Sequence, residues 1–242
     1  MEIGGRVVLV TGAGRRVGRA IATAISRRGA RVAVHYHSSA AGAEALVSEI
    51  RSAGGEAWSV QADLRDPAAA ERLPHDVRDH FGVLDVLVNS AAVMVRTPLD
   101  DVTAASWDDT FALNLRAPFF CARGAAAAMG AAGGVIINIA DLAGMEIWPA
   151  YIPHGISKAG VLQLTRALAR VLAPAIRVAA VVPGAVLLPE SWGPDDADRL
   201  ERTTPLRRLG SPEDVAQAVL YLISADYVTG DALVVDGGRS IR

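Results

Sequence analysis

Apolar residues fall along this chain in short unbroken runs, separated by longer stretches of helical spacing. The runs are VVLVTG (7–12), RVAVHY (31–36), AWSVQAD (57–63), VLDVLVNS (83–90), GVIINIA (134–140), IRVAAVVPG (176–184) and ALVVDGG (232–238). Each is near-continuously hydrophobic instead of alternating, as strands of a parallel sheet covered on both faces should be. Between them apolar positions recur every three or four residues. Val17, Ala20, Ile21, Ala24 and Ile25 stripe the segment 17–28, and longer helical patterns cover 103–129 and 155–172. This alternation predicts one α/β domain over residues 1–242, a Rossmann-like doubly wound parallel sheet of about seven strands with helices on both faces. The segment 187–209, with Pro189, Trp192, Gly193, Pro194, Asp195 and Asp196, interrupts the alternation. It is expected to form a mobile substrate loop, with Trp192 toward the substrate.

Composition narrows the function classes. Hydrophobic residues make up 51% and charged residues 21%, so a sizeable core is expected and disorder is not. A net charge of −2 gives no basic excess for nucleic acid or an anionic membrane. The single cysteine, Cys121, lies in an apolar helical stretch and reads as packing, with no partner for an intrachain disulfide. MEIGGRVVLV enters the first strand without a signal-peptide layout, and the uncharged stretch 124–140 is Gly- and Ala-rich and carries Asn138. Neither reads as a membrane segment, and a cytoplasmic protein is the expectation. No His/Cys/carboxylate spacing suggests a metal site. The acidic pairs Asp100–Asp101 and Asp195–Asp196 read as solvated caps and loop charges.

The first strand ends in TGAGRRVGRA. Gly12, Gly14 and Gly18 allow a tight turn, and the helix starting near Val17 offers free N–H groups and its positive end to an anion. In that context the turn predicts a dinucleotide site that includes Arg15 and Arg16. The second strand ends His35-Tyr36-His37-Ser38-Ser39, with no carboxylate to accept from a ribose 2′-hydroxyl. Imidazoles, hydroxyls and the nearby guanidinium groups suit a 2′-phosphate, which favours NADP(H) over NAD.

With these motifs the chain resembles the short-chain dehydrogenase/reductase family over nearly its whole length. The resemblance rests on the glycine turn, Asp63–Leu64 after the third strand, NSAA (89–92) after the fourth and Asn114 on the following helix. INIAD at the end of the fifth strand, the lysine-bearing helix, PG at 183–184, SPEDVA at 211–216 and VTGDALVVDGG complete it. It implies a homotetramer or homodimer that moves a hydride between a nicotinamide and a carbonyl, alcohol or imine carbon. Within the family the chain looks closest to pteridine and dihydromonapterin reductases. Their turn reads T-G-x-x-x-R-x-G, as from Thr11 to Gly18, and an aspartate replaces the usual active-site serine, as Asp141 does here. By position the resemblance places Gly12, Arg15, Arg16, Val17, Gly18, His35 to Ser39, Asp63 and Leu64 on NADP. It adds Ser90, Ala91, Ala92, Ile139, Lys158, Pro183, Gly184 and Val186. Two positions depart from the pattern. The family's catalytic tyrosine position holds His154, and Met94 stands where some pteridine reductases place an aromatic ring against the pterin.

Of the 24 basic residues only Lys158 is a lysine, and it follows His154 by four in IADLAGMEIWPAYIPHGISK. Three readings of this stretch stay open. His154 could be the proton donor, with the Asp141 carboxylate favouring imidazolium and Lys158 disfavouring it. Tyr151, seven residues before Lys158, could substitute if the helix continues through Pro153 and Gly155, or could be pocket wall together with Met94. Alternatively the site is catalytically silent and the protein binds NADP as a sensor or structural partner. The expected centre is Asn114, Asp141, Tyr151, His154 and Lys158, acting on a small-molecule substrate with a C=O or C=N group.

Overall fold

The computed structural model of the chain describes residues 1–188 and 193–241. Trp192 and the other residues of 189–192 lie outside the described residues. Seven strands form one sheet: β1 (Val7–Val10), β2 (Arg31–Tyr36), β3 (Ala57–Gln61), β4 (Val86–Asn89), β5 (Gly134–Ile139), β6 (Ile176–Pro183) and β7 (Ala232–Val235). Their order is β3-β2-β1-β4-β5-β6-β7, and every pairing is parallel. The chain winds outward from β1 in one direction and from β4 in the other, which opens a crevice where their carboxyl ends diverge.

Burial on both faces explains why the strand runs carry no alternation. Val8 and Val10 face one core with α1 (Arg16–Ser26), α2 (Ala40–Ser52) and α8 (Pro212–Ser224). Val7 and Leu9 face a second core with α3 (Pro67–Phe81), α5 (Ala117–Met129) and α6 (Ile152–Leu172). In α1, Ile21 and Ile25 are fully buried one turn apart. Each such side chain contributes about 1.5–3 kcal/mol by leaving water.

Three elements differ from the sequence expectation. The helical pattern 103–129 is divided into α4 (Ala104–Phe111), a π turn (Ala112–Arg116) and α5. Pro118 has no N–H to return to the carbonyl of Asn114, and the Ala117 N–H instead reaches the carbonyl of Ala112. Asn114 therefore sits in a widened turn. Helix α6 begins at Ile152, three residues before the expected start, because Pro153 falls in the first turn where a missing N–H is harmless. Part of the expected loop 187–209 is helix α7 (Pro194–Thr203), whose opening proline and first-turn Asp195 and Asp196 are helix-start signals.

Candidate active site

The crevice is a cavity of about 860 Å³ that runs from the glycine turn to the start of α6. Every residue expected at the cofactor lines it, from Gly12 through Val186. Gly12 takes φ 66°, and a Cβ there would approach the Ala91 Cα to 2.9 Å; a Cβ on Gly18 would come within 2.4 Å of the Gly12 carbonyl oxygen. The turn is thus pressed both against the start of α1 and against the loop after β4. Thr11 ties the same two chain segments, its hydroxyl oxygen accepting from the N–H of Ser90 at 2.9 Å and of Ala91 at 3.0 Å. Arg16, a residue with a Cβ, is held at φ 54°. Backbone conformations of this kind are uncommon and concentrate at ligand sites.

No side chain caps the N-terminus of α1, so its first-turn N–H groups and the Arg15 and Arg16 side chains are left to the cavity. Around the far rim stand His37, Ser38 and Ser39, and the nearest carboxylate, Asp63 Oδ2, is 3.8 Å from His37 Nε2. This donor set fits the pyrophosphate and ribose of a nicotinamide dinucleotide. His35 serves the wall differently from its neighbours. Its ring is buried, with Nδ1 accepting the Gly12 N–H at 3.0 Å and Nε2 donating to the Ala62 carbonyl at 3.1 Å. Burial pushes its pKa down to about 4, so this imidazole is neutral and holds the glycine turn.

At the other end, Asp141, Tyr151, His154 and Lys158 all line the cavity, as does Met94. Asp141 lies two residues beyond β5 and caps a short 3₁₀ turn, its Oδ1 accepting the Ala143 N–H at 2.8 Å. That turn lies on α6 at Gly144, where a Cβ would meet the Lys158–Ala159 backbone at 2.8 Å. Lys158 is buried and donates from Nζ to the Ile139 carbonyl at 2.7 Å. Loss of hydration lowers its pKa to about 8, with the Asp141 charge acting in the opposite direction. Tyr151 is the N-cap of α6 and not part of it, so the helix-face relation to His154 and Lys158 does not hold. Its ring meets Trp148 edge-on at 6.1 Å, forming a wall.

Asn114 is brought to the site but does not line the cavity; it is buried behind His154. Its Oδ1 accepts from the Val93 N–H at 2.9 Å, and its Nδ2 donates to the Val93 carbonyl at 2.9 Å and to Ser157 Oγ at 3.1 Å. These shorter contacts use both amide hydrogens, ahead of the 3.3 Å approach to His154 Nδ1. His154 Nδ1 is 3.1 Å from the Val93 carbonyl and must be the donor there. The network therefore assigns the exchangeable position of His154 to Nε2. Nε2 is buried without a hydrogen-bond partner and lies 3.8 Å from Asp141 Oδ2.

The sequence reading missed several groups. Trp148 and Ile147 line the substrate end, three and four residues before Tyr151; the Trp was legible in the same stretch. Arg239 also lines the cavity without having been singled out, whereas Leu187, Leu188 and Leu200 of α7, which line it too, belong to the expected substrate segment 187–209. The Val93 carbonyl, a backbone group, left no sequence signal. Among the described residues no group of His, Cys, Asp or Glu is placed to hold a metal, and no helix is long and apolar enough to cross a membrane.

A parallel sheet with a glycine turn at its crevice and a buried lysine beside an acid and an imidazole defines a nicotinamide-dependent oxidoreductase of the Rossmann type. Residues 12–240 match the family model described as enoyl-(acyl carrier protein) reductase. The chain is 36% identical to versicolorin reductase stcU of Emericella nidulans, covering 98% of this chain and 96% of that protein. It is also 36% identical to the 3-oxoacyl-[acyl-carrier-protein] reductase FabG of Staphylococcus aureus strain Mu50, over 95% of this chain and 96% of that one. Among solved structures, the blue fluorescent protein from a metagenomic library, in complex with NADPH, superposes with a TM-score of 0.91 at 35% identity and 99% coverage of both chains. A dehydrogenase/reductase from Sinorhizobium meliloti 1021 gives a TM-score of 0.92 at 37% identity, covering 98% of this chain and 97% of that one. The protein belongs to the short-chain dehydrogenase/reductase family.

Proposed function

We propose that the chain is an NADPH-dependent reductase of a small C=O or C=N compound, with Asp141, His154 and Lys158 at the reacting end and Asn114 behind them. The observation that carries this reading is the convergence of Asp141, His154 and Lys158 on the same cavity as the glycine turn. A bound reduced nicotinamide would supply a hydride. In this reading Lys158, fixed by Ile139, holds the nicotinamide ribose, and the Arg15–Arg16 and His37–Ser39 rim prefers a 2′-phosphate. The pteridine-reductase likeness rests on Asp141 and the TGAGRRVG turn. Met94 is 44% exposed at the cavity mouth, where a thioether can cover a flat ring without stacking on it as an aromatic would. Assembly as a homotetramer or homodimer and a cytoplasmic setting belong to the same proposal.

The test is NADPH oxidation against pterins, quinones, diketones and cyclic imines, alongside direct titration of NADPH and NADH. Turnover of any member with tighter binding of NADPH supports the reading. Comparable or tighter binding of NADH overturns the cofactor assignment. A second reading has His154 in its favour, since the family's proton donor is missing at that position. In it the chain binds NADP and acts through its surface, and tight NADPH binding with no turnover selects it.

A further inference from the structure

The reacting end of the cavity holds two acceptors and lacks a donor between them. Asp141 Oδ2 makes no hydrogen bond, since the cap to Ala143 uses Oδ1. His154 Nε2 faces it at 3.8 Å, buried and unpartnered. With Nδ1–H committed to the Val93 carbonyl, Nε2 is the ring position left to accept from a ligand. Two acceptor positions facing each other across 3.8 Å, one of them buried, favour a ligand that brings a donor between them. A carbonyl oxygen brings none, and the alkoxide that develops on it would be repelled by the carboxylate. A protonated C=N group brings both a positive charge and an N–H.

We propose that the substrate is an iminium ion, a cyclic C=NH⁺ carried on an apolar or aromatic frame, its N–H received by Asp141 Oδ2 and His154 Nε2. This rests on the reductase reading and specifies its substrate. The iminium carbon takes up a hydride from the reduced nicotinamide, which is oxidised by two electrons. The C=N π pair becomes the nitrogen lone pair, the positive charge is cancelled, and the N–H proton stays in place. No general acid is required in the hydride step, which accounts for a competent site without the tyrosine. The frame lies against Trp148 and Tyr151, whose rings meet edge-on at the start of α6 and line the cavity.

The experiment pairs 3,4-dihydroisoquinoline with 1-tetralone, a ketone on the same fused-ring frame with its oxygen outside the ring, using the full chain and NADPH. The imine is expected to be reduced with kcat/KM about 100-fold above the ketone, the scale of a hydrogen bond to a charged group in a buried site. A binding readout without cofactor uses 1,2,3,4-tetrahydroisoquinolinium, an N–H cation that cannot be reduced, followed by calorimetry. It should bind wild type about 10-fold or more tighter than D141N, whose amide oxygen can still cap Ala143. Reduction of the ketone as fast as the imine, or cation binding indifferent to D141N, overturns the substrate assignment and leaves the reductase reading standing. No turnover of either compound while NADPH binds overturns the substrate assignment, and the reductase reading falls with it only if the pterins, quinones and diketones are inert as well.

Discussion

Nζ of Lys158 donates a 2.7 Å hydrogen bond to the carbonyl oxygen of Ile139, the last residue of β5. The ammonium is therefore anchored to the strand that also presents Asp141, while its other hydrogens are left for a ligand. Burial brings its pKa down to about 8, so it loses its charge in a range where most lysines keep theirs. The NADPH dissociation constant of the free protein should rise as pH passes upward through about 8, as the deprotonated amine gives up its charge-assisted hold. Fluorescence titration of NADPH binding between about pH 7 and about pH 10 reads this. Lys158→Met should bind more weakly and show no such limb; the same limb in that variant would place the titration elsewhere.

His35 shifts in the same direction with a different consequence. Its folded pKa of about 4 lies below the ordinary 6.5, so the unfolded chain binds the proton first as pH falls. The stability it contributes is fully present above about pH 6.5 and is lost progressively on acidification toward about pH 4, roughly 3 kcal/mol in all. Denaturant unfolding across that window should show the loss, and His35→Gln should flatten it. An unchanged acid limb in the variant would mean that other groups carry it.

Much of this was legible in the sequence because it is repetitive or local. Seven apolar runs specified seven strands, since a strand buried on both faces has no polar side to interrupt it. The glycine turn was readable because only glycine allows the approach seen at Gly18. The first turn of α6 was placed three residues late because Pro153 is a helix breaker in the interior and a helix starter at the edge. Asn114 is expected among the catalytic centre residues, and the π turn and the Val93 backbone place it one layer behind His154. Such a relation depends on a main-chain carbonyl from a loop, which residue types do not encode. The orphaned Nε2 of His154 is a consequence of that layer and was equally hidden.

Ser157 decides how that layer is wired. Its hydroxyl donates to the His154 carbonyl at 2.7 Å and accepts one Asn114 N–H, which keeps that hydrogen from His154 Nδ1. In Ser157→Ala the freed N–H can turn to Nδ1, 3.3 Å away, and the ring proton should move to Nε2. The ¹⁵N shifts of His154 should exchange their protonated and unprotonated signatures between wild type and variant. Identical signatures in the two proteins would show that Asn114 and Ser157 do not set the tautomer.

His154 and Tyr151 can be separated by the same kind of pairing. Tyr151 occupies the N-cap position of α6 and packs edge-on against Trp148, whereas the buried His154 Nε2 faces Asp141. His154→Phe removes an acceptor but leaves the Lys158 anchor intact, so NADPH affinity should stay close to wild type. Its kcat/KM on a reducible substrate should fall by about 10- to 100-fold, the range for a lost hydrogen bond to a charged group. Tyr151→Phe keeps the wall and should remain within about 3-fold, well short of the 10²–10⁴-fold that removal of a general acid brings. Full activity in His154→Phe together with abolition in Tyr151→Phe would give the tyrosine the catalytic role and leave the histidine as packing. Nearly equal losses in both would instead point to a shared substrate contact, and kcat would then fall less than KM rises.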